Sequence, residues 1–175
     1  RSRTVKGGSK NYLEPLCRPF SPRIRRGEGV VQVRRPGDDG VIVRTASGAE
    51  ERFDAVVLAC HADQSLSLLG DPTPRESALL SHFRYQPNPT VVHTDTSVLP
   101  RSRRAWSSWN YRVEKFGGAS THYWMNRLQS LPGSAEGRDE YLVSLNDPGS
   151  IDPTKILMKL EYEHPLFSRE AVRAQ

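Results

Sequence analysis

Residues 51–60, Glu-Arg-Phe-Asp-Ala-Val-Val-Leu-Ala-Cys, form the stretch that decides the predicted fold class. A strand with one face in water alternates polar and apolar residues, whereas Ala55–Cys60 is apolar throughout. We therefore expect this second half to be a strand that is buried on both faces. Such a strand is typical of the central sheet of an α/β domain.

Two shorter β-favouring runs precede this stretch. Val30–Val33 and Val41–Thr45 are rich in β-branched residues. Turn-forming residues over Pro36–Gly40 separate the two runs, and Ser47-Gly48 turns the chain again. The three runs together predict a β-meander that feeds the central sheet.

Local signals predict helices on both sides of these strands. Ser9 is placed to cap a short helix over Asn11–Cys17, and Gln64–Leu69 suits one or two helical turns. Thr73-Pro-Arg-Glu76 combines a capping Thr, a Pro at the first helical position and a Glu three residues after the Thr. We expect that last helix to continue to about residue 82 or 84.

The character of the sequence changes from Pro87 onward. Short β-like stretches alternate with connections rich in Pro, Gly and Ser, which predicts a mainly antiparallel sheet. Ile156–Glu163 alternates in the manner of a half-buried strand, and a helix is expected after Ser168. The other predicted strands are Thr90–Thr94, Ala105–Val113, Ser120–Arg127 and Tyr141–Asn146. The predicted fold class is α+β or α/β, with a boundary near residue 70.

Composition places the chain among globular proteins and indicates a reducing compartment. Hydrophobic residues make up 36% and charged residues 26%, and the longest apolar run is far too short to cross a bilayer. No secretion signal opens the sequence, so we expect a cytoplasmic location. Cys17 and Cys60 have neither metal-ligand spacing nor the density of a disulfide framework, and we expect two free, buried thiols.

The net charge of +5 is unevenly distributed. Residues 1–35 hold ten Lys and Arg against two acidic residues, whereas residues 36–175 hold 15 against 18. A basic segment of this kind occurs at nucleic-acid or membrane contacts, on surfaces that pack against an acidic neighbour, and beside phosphate-bearing ligands. Charge alone does not choose among these three.

The spacing of Cys and His residues predicts neither a catalytic thiol site nor a metal site. Cys60 and His61 are adjacent, and neighbours on a strand point to opposite faces, so packing is favoured over thiol catalysis. The remaining histidines lack paired spacing such as H-x-x-x-H, and a zinc site needs three or four converging ligands, so no metal is expected. These histidines are His82, His93, His122 and His164.

The order of motifs along the chain resembles that of the flavin-containing amine oxidase family, in particular bacterial FAD-dependent oxidoreductases described as NAD/FAD-binding. The resemblance covers nearly the whole chain. Four motifs lie in the first third: Val5-Lys-Gly-Gly-Ser-Lys-Asn-Tyr-Leu13, Ile24-Arg-Arg-Gly-Glu-Gly-Val30, Val41-Ile-Val-Arg-Thr-Ala-Ser-Gly48 and Phe53-Asp-Ala-Val-Val-Leu-Ala-Cys-His61. Three lie later: Trp106-Ser-Ser-Trp-Asn-Tyr111, Tyr123-Trp-Met-Asn-Arg-Leu128 and Tyr162-Glu-His-Pro-Leu-Phe167.

The resemblance implies that different parts of the chain belong to different domains. Residues 1–70 would be part of a FAD-binding domain, residues 71–163 a substrate-binding domain, and residues 164–175 the start of a return to the FAD domain. Val30 would lie against the adenosine half of FAD through its backbone, and Ala59 and Cys60 would line the dinucleotide. This agrees with the rule that ligands of open α/β sheets sit beyond the carboxyl ends of strands. Three basic residues would favour the pyrophosphate: Arg23, Arg25 and Arg26.

Aromatic residues in the second half have two interpretations. On a strand Trp109 and Tyr111 share one face, while Trp106 falls on the other. The resemblance implies an aromatic wall around flavin and substrate, formed by Trp109, Tyr111, Tyr123 and Trp124. For any single residue, an ordinary sheet core is the favoured interpretation.

The resemblance also sets the expected activity and its limits. A G-x-G-x-x-G loop and the family's closing flavin-binding segment are absent from the sequence, so we expect an interior part of a longer enzyme that alone binds FAD weakly or not at all and is inactive. The parent would transfer a hydride equivalent from a small-molecule substrate to FAD. No general base stands out. Expected partners are that substrate, the rest of the parent chain and, through open apolar edges, a second copy.

An alternative from another class is a non-enzymatic binding module. Arg101-Ser-Arg-Arg104 lies beside Trp106 and Trp109, and cations next to stacking rings occur on single-stranded nucleic-acid surfaces. No RRM, KH or helix-turn-helix signature accompanies the 101–111 region, so a solvated loop is favoured and no nucleic-acid partner is expected.

Overall fold

A computed structural model describes residues 5, 7–8, 10–37, 40–113 and 117–175 of the chain. These residues form two compact units. The first, which we call the sheet unit, comprises Arg1–Ser21 and Pro87–Glu163. The second, the meander unit, comprises Pro22–Gln86 and His164–Gln175.

The described residues form five α-helices, eight strands and five short 3-10 helices. The α-helices are α1 (Lys10–Cys17), α2 (Ala62–Leu68), α3 (Pro74–Leu80), α4 (Met125–Gln129) and α5 (Arg169–Arg173). The strands are β1 (Val30–Arg34), β2 (Val41–Thr45), β3 (Glu50–Phe53), β4 (Tyr85–His93), β5 (Trp109–Val113), β6 (Ala119–Trp124), β7 (Leu142–Leu145) and β8 (Ile156–Pro165). The 3-10 helices are Arg18–Arg23, Thr96–Val98, Arg103–Ala105, Ser134–Glu136 and Pro153–Lys155.

The meander unit is built on the antiparallel sheet β1-β2-β3. The pairing of β1 with β2 shifts register between Val30 and Gln32, which marks a bulge at the start of β1. Val33 is buried and bridges Leu69 at the end of α2, and the Gly70 amide donates to the Val33 carbonyl at 2.9 Å. The meander is therefore tied to the helix that follows it.

The predicted start of α3 is confirmed at atomic detail. Thr73 Oγ1 accepts from the Glu76 amide at 3.1 Å, and the Glu76 carboxylate accepts from the Thr73 amide at 2.8 Å. The same carboxylate receives Arg35 at 2.7 Å, and Arg35 also pairs with Asp71 at 3.3 Å. One cation thus connects the end of β1 with the start of α3. The helix over Asn11–Cys17 is present as α1, and its predicted cap Ser9 lies outside the described residues.

The prediction of a buried strand over Ala55–Cys60 is wrong. β3 ends at Phe53, no strand of the described chain pairs with the stretch, and Val57 is 90% exposed. A strand needs a neighbour for its amide and carbonyl groups, and the other described strands provide none here. The apolar residues are present, but the pairing that would bury them on two faces is not.

The sheet unit contains an antiparallel sheet in the order β5-β6-β7-β4-β8. Strand registers place Trp124 and His93 beside Leu142, and this face of the sheet covers the main core. Val91, Trp124 and Ile156 pack against that core, which consists of Val98, Leu99, Trp106, Leu142 and Ile151. The mixed α/β fold with antiparallel sheets confirms the predicted fold class.

Two predicted strands differ in length from those observed. The strand expected from Ala105 begins only at Trp109, because the chain first makes a 3-10 turn over Arg103–Ala105. The strand expected to reach Arg127 ends at Trp124, where α4 begins. β8 is present as predicted, but its alternate residues Met158 and Tyr162 are exposed because β8 is an edge strand.

Candidate functional site

An apolar cleft of about 540 Å³ lies in the meander unit. Val30, Ala59 and Cys60, the three residues predicted to contact FAD, all line it. The sequence separates Val30 from the other two by almost thirty positions, and the meander brings them together. The rest of the lining comes from Val33 and Val43 of the sheet, Val56–Leu58 of the following stretch, and Gln64, Ser67 and Leu68 of α2.

Contacts around His61 fix the end of the stretch that lines this cleft. The His61 ring stacks on Tyr85 with centroids 4.2 Å apart and planes 9° apart. Tyr85 Oη accepts from the Ala62 amide at 3.0 Å, and Gln64 Oε1 accepts from the His61 amide at 3.3 Å. Cys60 Sγ lies 3.2 Å from Ser65 Oγ, and Cys60 is exposed, so its predicted burial is wrong. The cleft therefore has one wall held by the start of α2, although its middle, at Val57, is open to solvent.

The lining of the cleft determines what it can bind. Its walls are valine, leucine and alanine, and its polar groups are the uncharged side chains of Cys60, Gln64 and Ser67. Such a lining favours a flat, uncharged group over an anion, and the volume lies in the range of small-molecule sites. An adenosine or ring portion of a dinucleotide fits this chemistry. A pyrophosphate would require donors or cations from elsewhere.

A second cavity of about 770 Å³ on the meander is lined by two of the three basic residues that were predicted to serve a pyrophosphate, and Arg26 is not among its lining residues. Arg23 and Arg25 line it together with Glu28, Glu50 and Glu51. Arg25 Nη1 lies 2.6 Å from the Glu51 carboxylate, and this hydrogen bond, with the attraction of the two charges, raises the pKa of Arg25. Because its charge is already matched, Arg25 offers little to an anion, and the role of Arg23 and Arg26 stays a prediction.

The predicted aromatic wall divides between the two faces of the five-stranded sheet. Trp109 and Tyr123 are direct cross-strand partners, and their rings stack with centroids 5.8 Å apart. Tyr111 shares their face, as strand alternation predicts, and is 68% exposed. Trp124 lies on the opposite face, where it meets Trp106 edge-on at 5.2 Å. Three of the four predicted substrate-lining residues are thus brought together, and Trp124 is not one of them.

One arginine of the basic 101–111 region packs against the Trp106–Trp124 pair. Arg103 lies over the Trp106 ring at 4.8 Å and pairs with Glu140 at 2.5 Å. Glu140 is buried and also accepts from Trp124 Nε1 at 2.6 Å. An arginine held in this way stabilises the tryptophan pair, so the region has one cation fewer to offer a nucleic acid.

Sequence reasoning missed a set of buried polar side chains on the inner face of the sheet unit. His93 and His122, whose spacing carried no metal signal, both hydrogen-bond to Ser144 Oγ at 2.7 Å. Ser120 lies 3.0 Å from His122. Alternation on β6 could have placed Ser120 and His122 on one face, but their partner Ser144 is more than twenty residues away. Among the residues that the structure describes, no group of three or more His, Cys, Asp and Glu side chains is placed to hold a metal ion.

In the described ranges no helix combines the length and the apolar character that crossing a membrane requires. A comparison with curated proteins finds no match. Among solved structures, the chain is similar to the crystal structure of the CLA-producing fatty acid isomerase from P. acnes, with a TM-score of 0.54 and 12% identity. The match covers 89% of this chain and 39% of that one, so this chain spans well under half the length of its structural relative. At this identity the likeness shows the fold alone.

The sequence model of flavin-containing amine oxidoreductases matches residues 1–123, well over half of the chain. The match covers the whole meander that lines the apolar cleft and reaches the start of the aromatic face. The chain therefore belongs to the flavin-containing amine oxidoreductase family.

Proposed function

We propose that this chain is part of an FAD-dependent oxidoreductase and that the apolar cleft of the meander unit holds part of FAD. The observation that carries the proposal is that Val30, Ala59 and Cys60 line one cleft whose walls are uncharged. Family membership supplies the cofactor class, and the lining suits an adenosine or ring portion. Bound FAD would supply the redox chemistry, accepting a hydride equivalent from a small-molecule substrate.

The residues of this chain would bind and position rather than react. The Val30 backbone at the bulge of β1 would contact the cofactor from one side, and Ala59 and Cys60 would contact it from the other. Exposed apolar side chains such as Val57 would lose contact with water when the cofactor binds, which favours binding by about 25 cal/mol for each Å² of apolar surface buried. The stacked Trp109 and Tyr123, with Tyr111, would contact an apolar or amine substrate.

The binding-module alternative has less support. Strong salt dependence would be its signature, because nucleic-acid affinity rests on cations that displace counterions from phosphates. Arg103 is engaged by Glu140 and the tryptophans, which removes one such cation from the 101–111 region.

The two cysteines give a direct test of the cleft. Cys60 lines it, whereas Cys17 lies in the sheet unit, so each single-cysteine variant is the control for the other. We expect FAD to slow maleimide labelling of Cys60 several-fold in Cys17→Ser and to leave the labelling of Cys17 unchanged in Cys60→Ser. Mass spectrometry measures both rates, and ADP and FMN as competing ligands identify which half of FAD is held.

The proposal is overturned if the longer parent enzyme takes up no flavin and if about 1 mM FAD, enough to half-fill a site of that Kd, does not protect Cys60 in it. Equal protection of both thiols would point to non-specific shielding and would count against the cleft as well. Tight retention of FAD after purification, seen as a flavin absorption band, would support it further.

A further inference from the structure

The buried histidine–serine chain of the sheet unit consists of Ser120, His122, Ser144 and His93. Each of these four side chains is at most 1% exposed. They lie on the inner face of the adjacent strands β6, β7 and β4, and the distances between successive polar atoms are 3.0, 2.7 and 2.7 Å. Beyond His93, the amide of Asp95 donates to His93 Nδ1 at 3.1 Å.

The Asp95 amide fixes the direction of the hydrogen bonds of His93, because an amide N–H can only donate. His93 Nδ1 must therefore accept, and a neutral imidazole then carries its proton on Nε2, which donates to Ser144 Oγ. Ser144 Oγ lies 2.7 Å from His122 Nδ1, and Ser120 Oγ lies 3.0 Å from His122 Nε2. One backbone amide thus fixes the tautomer of neutral His93 and makes Ser144 Oγ the acceptor of its Nε2 proton.

We propose that this chain is an acid-sensitive latch, which joins β4, β7 and β6 while His93 is neutral and opens when His93 is protonated. Protonation converts His93 Nδ1 from an acceptor into a donor that faces another donor, the Asp95 amide. A buried donor without an acceptor destabilises the folded state, and a buried charge does so more strongly. The inference does not depend on the proposed function.

Charged groups from the neighbouring elements modulate the latch. Asp95 follows β4, Asp147 follows β7, Lys155 precedes β8, and Arg112 of β5 pairs in register with Ser120. Burial lowers the pKa of His93 below its usual value, and this outweighs the opposing attraction of Asp95 and Asp147. Because the folded state then binds fewer protons than the unfolded state, stability is complete well above pH 6.5. It falls as the pH drops through 6.5, where the unfolded histidine takes up its proton.

The acidic groups act in a separate pH range. Burial alone would raise the pKa of Asp95, but hydrogen bonds from the amides of Asp152 and Ser97, together with Lys155, lower it to about 2. Its stabilising contribution is therefore present above its usual value of 3.8 and lost as the pH falls below that value. Loss of stability between pH 7.5 and 5.5 reports histidines, and loss below about pH 4 reports carboxylates.

Unfolding of the sheet unit can be followed selectively, since all three tryptophans, Trp106, Trp109 and Trp124, lie in it. A buried histidine with a lowered pKa in the folded state and a pKa near 6.5 in the unfolded state raises the equilibrium constant for unfolding by up to about tenfold between pH 7.5 and 5.5. His93→Asn keeps an acceptor near the Asp95 amide but does not titrate. In urea titrations we expect it to reduce this pH dependence of the unfolding equilibrium, by up to about tenfold between pH 7.5 and 5.5. His82→Asn changes an exposed histidine of the other unit and should leave the dependence intact.

Nitrogen-15 NMR of histidine-labelled protein tests the same proposal without any substitution. The spectra are expected to show His93 mainly as the neutral Nε2–H tautomer at pH 6.5, without a proton on Nδ1. A charged His93 at that pH, or an Nδ1–H tautomer, would overturn the latch. So would a His93→Asn variant that folds and keeps the full pH dependence of the wild type.

Discussion

The meander unit and the sheet unit place their apolar and polar groups in opposite ways. In the meander unit apolar residues line an open cleft, while the polar network of Arg35, Asp71 and Glu76 is partly exposed. In the sheet unit the apolar core is closed around Leu142, and a polar chain through His93 is fully buried beside it. Apolar surface left in water is what a cofactor site requires, and a closed core is what a rigid support requires. The meander unit therefore leaves apolar surface accessible to a ligand, whereas the inner face of the sheet unit is closed.

The strongest test of this difference makes the same substitution in each unit. Val98 is buried in the core of the sheet unit, whereas Val57 in the cleft of the meander unit is almost fully exposed. We expect Val98→Ala to lower the free energy of unfolding by about 2 kcal/mol, from lost burial and a residual cavity. Val57→Ala should change it by less than about 0.5 kcal/mol. Urea unfolding measures both, and equal effects would mean that Val57 is buried in solution.

A second test concerns how the stability of the meander unit depends on pH. The hydrogen bonds from Arg35 and Thr73 lower the pKa of Glu76 to about 2, so its contribution is complete above the usual value of 4.5. That contribution is lost as the pH falls from 4.5 towards 2. Glu76→Gln should lower the free energy of unfolding by about 1 kcal/mol at pH 7, because the Arg35–Glu76 pair is one-third exposed. It should also weaken the dependence of stability on pH between 4.5 and 2.

Hydrogen exchange of amides in β1 and α3 measures the effect of Glu76→Gln where it should occur. Glu161→Gln, at an exposed position of β8, is the control, and it should leave exchange in the meander unit unchanged. An unchanged acid profile in Glu76→Gln would show that the Arg35 pair does not hold β1 to α3.

The smallest expected effect lies on the exposed aromatic face of the sheet unit. Trp109 is 65% exposed even though it stacks on Tyr123, so this face resembles the cleft more than the core. A double-mutant cycle of Trp109→Ala and Tyr123→Ala should give a coupling of about 0.5 kcal/mol in the stability of the chain. A coupling above about 2 kcal/mol would indicate a structural pair, and these residues would then be poor candidates for substrate contact.

Local determinants were predictable from the sequence, and pairings between distant segments were not. The start of α3 followed from Thr73, Pro74 and Glu76 because a helix cap depends on neighbours within one turn. The shared face of Trp109 and Tyr111 followed from strand alternation in the same way. Both features depend on residues that are close together in the sequence, so they depend little on tertiary contacts.

The apolar stretch Ala55–Cys60 shows where this reasoning stops. Its hydrophobicity was interpreted as burial in a sheet, but sheet burial requires partner strands, and the sequence of one segment does not reveal them. The buried histidine–serine chain was missed for a related reason. His93 and His122 are connected through Ser144, which lies on a third strand, and the sequence does not show that these strands are neighbours. The separation of Trp124 from Tyr123 and Trp109 likewise follows from alternation only once the end of β6 is known.

The division of the chain into units also bears on how it folds. The polypeptide passes between the units three times, because each unit is assembled from two separate segments. The amide of Leu166 donates to the carbonyl of Arg84 at 2.8 Å, so the meander unit is completed only after the intervening Pro87–Glu163 has been synthesised. At about 5–20 residues per second, several seconds separate the two halves of this unit on the ribosome. During that interval the Arg84 carbonyl lacks the Leu166 amide that it accepts from in the complete fold, so this end of the meander unit is still open.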